Sequence, residues 1–312
     1  MDPVVLFFIL GLVATLLKSE IKIPEAFYNV LSIYLLLAIG IKGGIELYNS
    51  NLQSLVLPAI GTILLGVITT LVAYFILISS KKFDKTDAIA IATHYGSVSA
   101  VTYAVVTNFL EIQKVSYEKY STVLLVLLEI PAIIVGAGLA RTLVNKTKSD
   151  SHVKEMFREV FLGKSILLLL GGLVIGYYMS YSNNFKLNIF FADLFRGFLS
   201  LFLLEMGIVT GAQLSDLKKA GIHLVMFGIL MPIVSAVLGI LGGKIFGLSF
   251  GGTVVLATMC ASASYIAAPA AVKMVLPKAN PTYYMTASLG ITFPFNIIFG
   301  IQLYYWLAGL IY

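Results

Sequence analysis

Ala92-Thr93-His94-Tyr95-Gly96-Ser97-Val98-Ser99 and Ala257-Thr258-Met259-Cys260-Ala261-Ser262-Ala263-Ser264 carry one pattern, Ala-Thr-x-x-small-Ser-x-Ser. Each lies in a segment otherwise apolar enough to cross a membrane, where hydroxyls and small residues are unusual company. A stretch dense in Gly, Ala, Ser and Thr lets another backbone approach closely. It also weakens the helix where polar backbone groups can be offered to a ligand. The spacing predicts two copies that face each other near the bilayer midplane and hold a small solute. The competing reading of either copy alone is a close-packed helix crossing.

Working outward, composition sets the class. Hydrophobic residues make up 59% of the chain and charged residues 12%, with a mean hydropathy of +0.96. Soluble domains are roughly half apolar and a quarter charged, so these values describe a polytopic membrane protein lying in the lipid bilayer. At roughly 30 residues per helix and loop, 312 residues allow about ten spanning helices and almost no extramembrane domain. Helices are predicted over 3–18, 26–47, 53–79, 86–108, 119–141, 162–181, 190–212, 219–246, 249–274 and 283–311. The first is kept as a spanning segment: no Lys or Arg precedes Val4 to Leu17, and Lys18-Ser19-Glu20 does not resemble a signal-peptide cleavage site. The single cysteine, Cys260, excludes an internal disulfide and supplies no metal cluster.

Orientation follows from the basic residues. With the amino terminus outside, the inside loops hold Lys18, Lys22, Lys81, Lys82, Lys85, Arg141, Lys146, Lys148, Lys154, Arg158, Lys164, Lys218, Lys219, Lys273 and Lys278, fifteen in all. The outside loops hold five, Lys114, Lys119, Lys186, Arg196 and Lys244, and Lys42 lies within a helix. The positive-inside rule therefore predicts both termini outside. The same excess accounts for the net charge of +6 without any nucleic-acid partner.

The two halves repeat. Leu31-Ser32 through Gly43 matches Leu199-Ser200 through Gly211, Pro58 to Gly66 matches Pro232 to Gly239, and after the serine stretches Glu129-Ile130-Pro131 matches Thr292-Phe293-Pro294. Five helices per half is an odd number, so the second copy enters the membrane from the opposite side, an inverted repeat. Secondary transporters of that architecture bind substrate at the repeat interface with broken helices. The fold expected is thus all-α and membrane-integral, with helices 4 and 9 broken or crossing at the midplane. Residues 1–141 form the first repeat, 142–160 a polar cytoplasmic linker and 161–312 the second repeat.

The serine stretches together with Ile23-Pro24-Glu25-Ala26, Asn49-Ser50-Asn51-Leu52, Val115-Ser116-Tyr117-Glu118, Phe195-Arg196-Gly197 and Ala279-Asn280-Pro281 resemble the cyanobacterial-type sodium-dependent bicarbonate transporter family (SbtA-like), over nearly the whole chain. The resemblance implies ten helices in two inverted repeats. It implies a gate part of helices 1–2 and 6–7, a core part of helices 3–5 and 8–10, a homotrimer in the bacterial inner membrane, and sodium-coupled bicarbonate uptake. It also places the anion between the serine stretches of the fourth and ninth helices. Carried over residue by residue, Gly96, Val98 and Ser99 match the first family stretch, with Ser97 where a small residue is expected, and Ser262 and Ser264 match the second; with Ala263 and Tyr265 beside them, these are the expected substrate contacts. Members of the family often recruit a nucleotide-sensing regulator; the linker here is short for one, which weighs against that partner.

The physics agrees with an anion at this place. Broken helices present free N–H groups at a positive dipole end, and serine hydroxyls donate to anion oxygens without a full positive charge in the membrane. The chain also departs from the family. Tyr265 stands where the family has an acid after its serines, Val101 where it has a further hydroxyl, and Ala267 and Ala268 replace a Ser-Gly pair. Either the cation is held differently, or this branch moves another anion. Proton-coupled or sodium-independent carriage, or a transport-like sensor, therefore stays open beside sodium symport.

Glu129, directly before Ile130-Pro131, offers a carboxylate beside the carbonyl that the missing proline N–H frees. Those oxygens suit sodium or a proton; the bland reading is a protonated, hydrogen-bonded Glu. Thr93, Thr102 and Thr258 could add oxygens, although Thr in membrane helices commonly bonds its own helix. Lys42 is expected to pair with Glu46 or Glu205, because an unpaired charge at this depth is costly. His94 could titrate near neutral pH or act as an ordinary hydrogen-bonding residue. The histidines His94, His152 and His223 are scattered, and neither His-Glu-x-x-His nor a Walker A pattern occurs. An intramembrane enzyme is therefore disfavoured, and no cofactor is expected beyond sodium as co-substrate.

Overall fold

The computed structural model describes residues 3–144 and 162–312, with backbone alone over 214–220. The described residues contain helices and no strand. The predicted linker lies, from residue 145 onward, outside them.

In chain order the helices are α1 (Pro3–Leu16), α2 (Glu25–Tyr48), α3 (Val56–Ser79), α4 (Lys85–Gly96), α5 (Ala100–Ile112), α6 (Ser121–Leu143) and α7 (Lys164–Tyr181). There follow α8 (Phe195–Gln213), α9 (Gly221–Ile245), α10 (Phe250–Cys260), α11 (Ala268–Val275) and α12 (Pro281–Gly309). Among the described residues eight segments are long and apolar enough to cross a membrane, and α1 and α10 are shorter apolar helices. A 3₁₀ turn, Leu52–Leu55, leads into α3, and α12 contains two wide π turns, Thr286–Thr292 and Asn296–Gly300. Helices α8 and α9 run on from one another until Gly221, whose φ of 79° suits a residue without Cβ and turns the chain.

Packing follows the small residues. Helix α1 lies on α8, and α2 on α7. A Cβ on Gly11 or Gly207 would strike the carbonyl oxygens of Leu204 and Phe8, and one on Gly44 or Gly176 those of Leu173 and Ile41. In lipid no hydrophobic force separates helices from tails, so close backbone approach of this kind is what holds a crossing. Helix α3 packs on α4 and α6, while α9 packs on α10 and on the first π turn of α12.

Side chains at helix starts tie these packed elements together. Asp84 caps α4 by accepting the Asp87 N–H at 2.8 Å, and Asp87 accepts the Asn280 N–H at 2.7 Å at the start of α12. Ser249 caps α10, accepting the Gly252 N–H at 3.1 Å. Glu118, just before α6, receives the Ser249 N–H at 2.6 Å and its hydroxyl at 3.1 Å. Carboxylates at helix N-termini are favoured by the helix dipole.

One pairing differs from expectation. Lys42 binds Glu111, at the end of α5, rather than Glu46 or Glu205. The other Glu111 oxygen takes Arg196 Nη2 at 3.1 Å. The three side chains are 36% to 55% exposed, so the charges gather where α2, α5 and α8 reach one surface. Long cationic side chains reach toward such a surface with their stems buried. Glu205 is buried, and its Oε2 makes no hydrogen bond among the described residues.

Candidate functional site

The helices predicted over 86–108 and 249–274 both break at their serines. Helix α4 stops at Gly96 because Ser97 (φ −94°, ψ 175°) and Ser99 (φ −101°, ψ 113°) are extended. Helix α5 then starts with the Ser99 hydroxyl accepting the Thr102 N–H at 3.2 Å. Helix α10 ends at Cys260, and the chain stays non-helical through residues 261–267. There Ser264 Oγ accepts the Ala268 N–H at 3.2 Å, and Pro269 occupies the first turn of α11. Serine competes with the helix for backbone bonds and caps N-termini well, and proline suits a first turn. The local sequence therefore dictates both restarts.

The breaks touch. Ser99 N–H donates to Ser262 Oγ at 2.9 Å, and Ser264 N–H donates to the His94 carbonyl at 2.9 Å. His94 Nδ1 lies 2.6 Å from the Ser264 carbonyl, and the imidazole stacks on Tyr284 at 4.6 Å.

These bonds divide the serines by role. Ser97 spends its O–H on the Glu129 carbonyl at 3.5 Å, and Ser262 spends its O–H on the Met259 carbonyl at 2.8 Å. Ser99 and Ser264 use a lone pair to accept a backbone N–H, so neither O–H is spent on the backbone, and the Ser99 hydroxyl has the Tyr265 hydroxyl beside it. Both line one small cavity of about 10 Å³ together with Val98, Glu129, Ser165 and Tyr265. That is room for about one water-sized guest. Glu129 Oε2 and Tyr265 Oη are buried without a hydrogen-bond partner among the described residues. A carboxylate oxygen beside hydroxyls is the hard-oxygen donor set that an alkali cation takes, and two such O–H donors suit an anion.

The structure thus brings together Val98, Ser99, Ser264, Tyr265 and Glu129. Gly96, Ser97, Ser262 and Ala263 do not line the cavity. Gly96 instead gives α4 its approach to Thr70 and Gly66, and Ala263 is buried in apolar packing. Thr93 bonds the Ile89 carbonyl of its own helix at 2.8 Å. Thr102 and Thr258 have hydroxyls unpartnered among the described residues but lie off the cavity. Val101, Ala100 and Ile266 face an apolar crevice with Ser32, Leu36 and Phe202, so α2 and α8 cover the breaks.

Sequence reasoning missed two residues here. Asn296 donates from Nδ2 to the Ala261 carbonyl at 2.9 Å and accepts the Tyr304 hydroxyl at 2.7 Å, capping the end of α10. Its signal was available, since an amide inside the apolar run Phe295-Asn296-Ile297 needs a reason. Ser165 lines the cavity from the start of α7, and nothing in its neighbourhood marks it.

No match is found among curated proteins. A family model described as the Na+-dependent bicarbonate transporter superfamily matches residues 3–309, and the chain accordingly belongs to that superfamily, whose members are transporters and not enzymes.

Proposed function

We propose that this multi-pass membrane protein imports bicarbonate together with sodium. Sodium as co-substrate fits the family. One observation carries the rest: two serine O–H groups not spent on the backbone, Ser99 and Ser264, share a cavity with the Tyr265 hydroxyl and with Glu129 Oε2, which has no partner among the described residues. Sodium on Glu129 places a positive charge beside the serines, and the anion then binds them with its charge already compensated. A four-heavy-atom anion exceeds the present space. Entry therefore requires α2 and α8 to draw back from Ala100, Val101 and Ile266.

Ten crossings in two inverted repeats, divided into gate and core, are part of this reading. Its support is a symmetry of contacts. The start of α4 is bonded to the start of α12, and the start of α10 to Glu118 before α6. Exchanging the halves maps one pair onto the other. Packing of α1 on α8 and of α2 on α7 transforms in the same way. Both termini outside rests on the basic-residue count, and a homotrimer in a bacterial inner membrane rests on family resemblance.

The test is uptake of labelled bicarbonate into proteoliposomes under an inward sodium gradient, against potassium. Sodium should accelerate uptake. Ser99→Ala and Ser264→Ala should each raise the bicarbonate half-saturation about tenfold, the weight of one hydrogen bond to a charged group. Ser262→Ala, which removes the acceptor of the Ser99 N–H, should raise it less than either. Uptake indifferent to sodium but driven by a pH gradient would favour proton coupling, the reading that Tyr265 in place of an acid supports.

A further inference from the structure

A larger cavity of about 350 Å³ lies between α3 and α9, away from the serine breaks. Its floor is made by Leu77, Phe227 and Met231, at most 6% exposed, and its rim by Ile76, Met226 and Leu230, each over 40% exposed. The groove is therefore open along the lipid-facing side of two membrane helices. Its walls are almost wholly apolar, which excludes a path for a hydrated anion. An apolar cleft of this size with a few polar groups at one end has the form of a small-molecule site.

The polar end is basic. Ser80 and His223 line the groove there from opposite walls. Lys81 and Lys82 stand between the lining residues Ser80 and Phe83, and both are exposed. Lys81 adopts φ 55°, and the Lys82 N–H is held by Ser80 Oγ at 3.3 Å, so the backbone turn that carries both lysines is held between two residues of the groove. The neighbouring acid, Asp84, is occupied in capping α4.

We propose that this groove binds an anionic phospholipid, with one acyl chain along Leu77, Phe227 and Met231 and the phosphate at Lys81, Lys82 and His223. Charge complementarity selects the lipid: a second copy of the chain would have to bring its own anionic group to the same mouth. The occupant lies where α3, which carries α4 and α6, meets α9, which carries α10 and α12. Its binding therefore braces the supports of the two breaks against each other.

The experiment is a lipid titration of the purified full chain in detergent, read by melting temperature and by native mass spectrometry. It compares phosphatidylglycerol with phosphatidylcholine of the same acyl chains. Phosphatidylglycerol should bind and raise the melting temperature. The Lys81→Gln/Lys82→Gln double variant should weaken its binding about thirtyfold. Leu230→Trp, which fills the groove while leaving the lysines, should abolish it. Wild-type-like melting of both variants without lipid separates lost binding from misfolding. Equal binding of the two lipids, or no effect of either variant, would overturn the proposal, as would loss of oligomers in Leu230→Trp with lipid binding intact.

Discussion

His94 and Ser264 hold the two breaks together at two points: the Ser264 N–H donates to the His94 carbonyl at 2.9 Å, and His94 Nδ1 meets the Ser264 carbonyl at 2.6 Å. A carbonyl offers only lone pairs, so the imidazole is the donor and its proton resides on Nδ1. Nε2 is then the nitrogen without a partner among the described residues. Asparagine places an amide N–H near the position of Nδ1, and glutamine places it near Nε2. His94→Asn should therefore keep sodium-dependent uptake, while His94→Gln leaves the buried Ser264 carbonyl unsatisfied, a loss of about 1–3 kcal/mol. Unfolding in lipid micelles measures the difference, and equal stability of the two variants would dismiss the clasp.

Among the described residues Glu129 is the one acid lining the serine cavity, and its Oε2 has no hydrogen-bond partner there. Glu129→Gln preserves shape and removes the charge. The sodium half-saturation should rise roughly ten- to a hundredfold, the effect of losing about 1.5–3 kcal/mol of charge-assisted bonding. Bicarbonate binding at saturating sodium should change much less. A variant with unchanged sodium dependence would remove Glu129 from the cation's path.

How far the sequence reveals this site depends on the range of each interaction. The breaks are legible because serine and proline act on the backbone within four residues, as in the bonds from Thr102 to Ser99 and from Ala268 to Ser264. Glu129 is legible because a carboxylate in an apolar run is costly wherever it lies. Division of labour among the serines is not, since it turns on bonds such as that between Ser99 and Ser262, 163 residues apart. Gly96 reads as a ligand contact in sequence only because a small residue beside a serine serves equally for packing. Asn296 was open to the argument applied to Glu129.

Lys42 shows the same limit in a charge pair. Its burial cost predicts a partner but not which one, and three-dimensional placement selects Glu111, shared with Arg196. A double-mutant cycle of Lys42→Met with Glu111→Gln should give a coupling of about 0.2–1 kcal/mol, as expected for a half-exposed pair. The cycle of Lys42→Met with Glu205→Gln should be additive within about 0.5 kcal/mol. Coupling to Glu205 larger than to Glu111 would contradict the arrangement.

Gly96 tests whether the break is a binding element throughout or is divided between binding and packing. A Cβ at this position would run into Thr70 Oγ1 and come within 3.0 Å of the Gly66 carbonyl oxygen. Thr70 Oγ1 is itself bonded to that carbonyl at 2.6 Å, so swinging away costs it that bond. Gly96→Ala should thus force α4 away from α3 and lower stability by about 1–3 kcal/mol, the range for overpacking a filled site. Adding Thr70→Ala removes the obstructing oxygen and should recover part of that loss. In whatever fraction folds, the bicarbonate half-saturation should stay near wild type, because the donors Ser99 and Ser264 are untouched. Melting curves and uptake measured on the same preparations separate the two effects. A Gly96→Ala protein of normal stability with a tenfold weaker affinity would return Gly96 to the substrate.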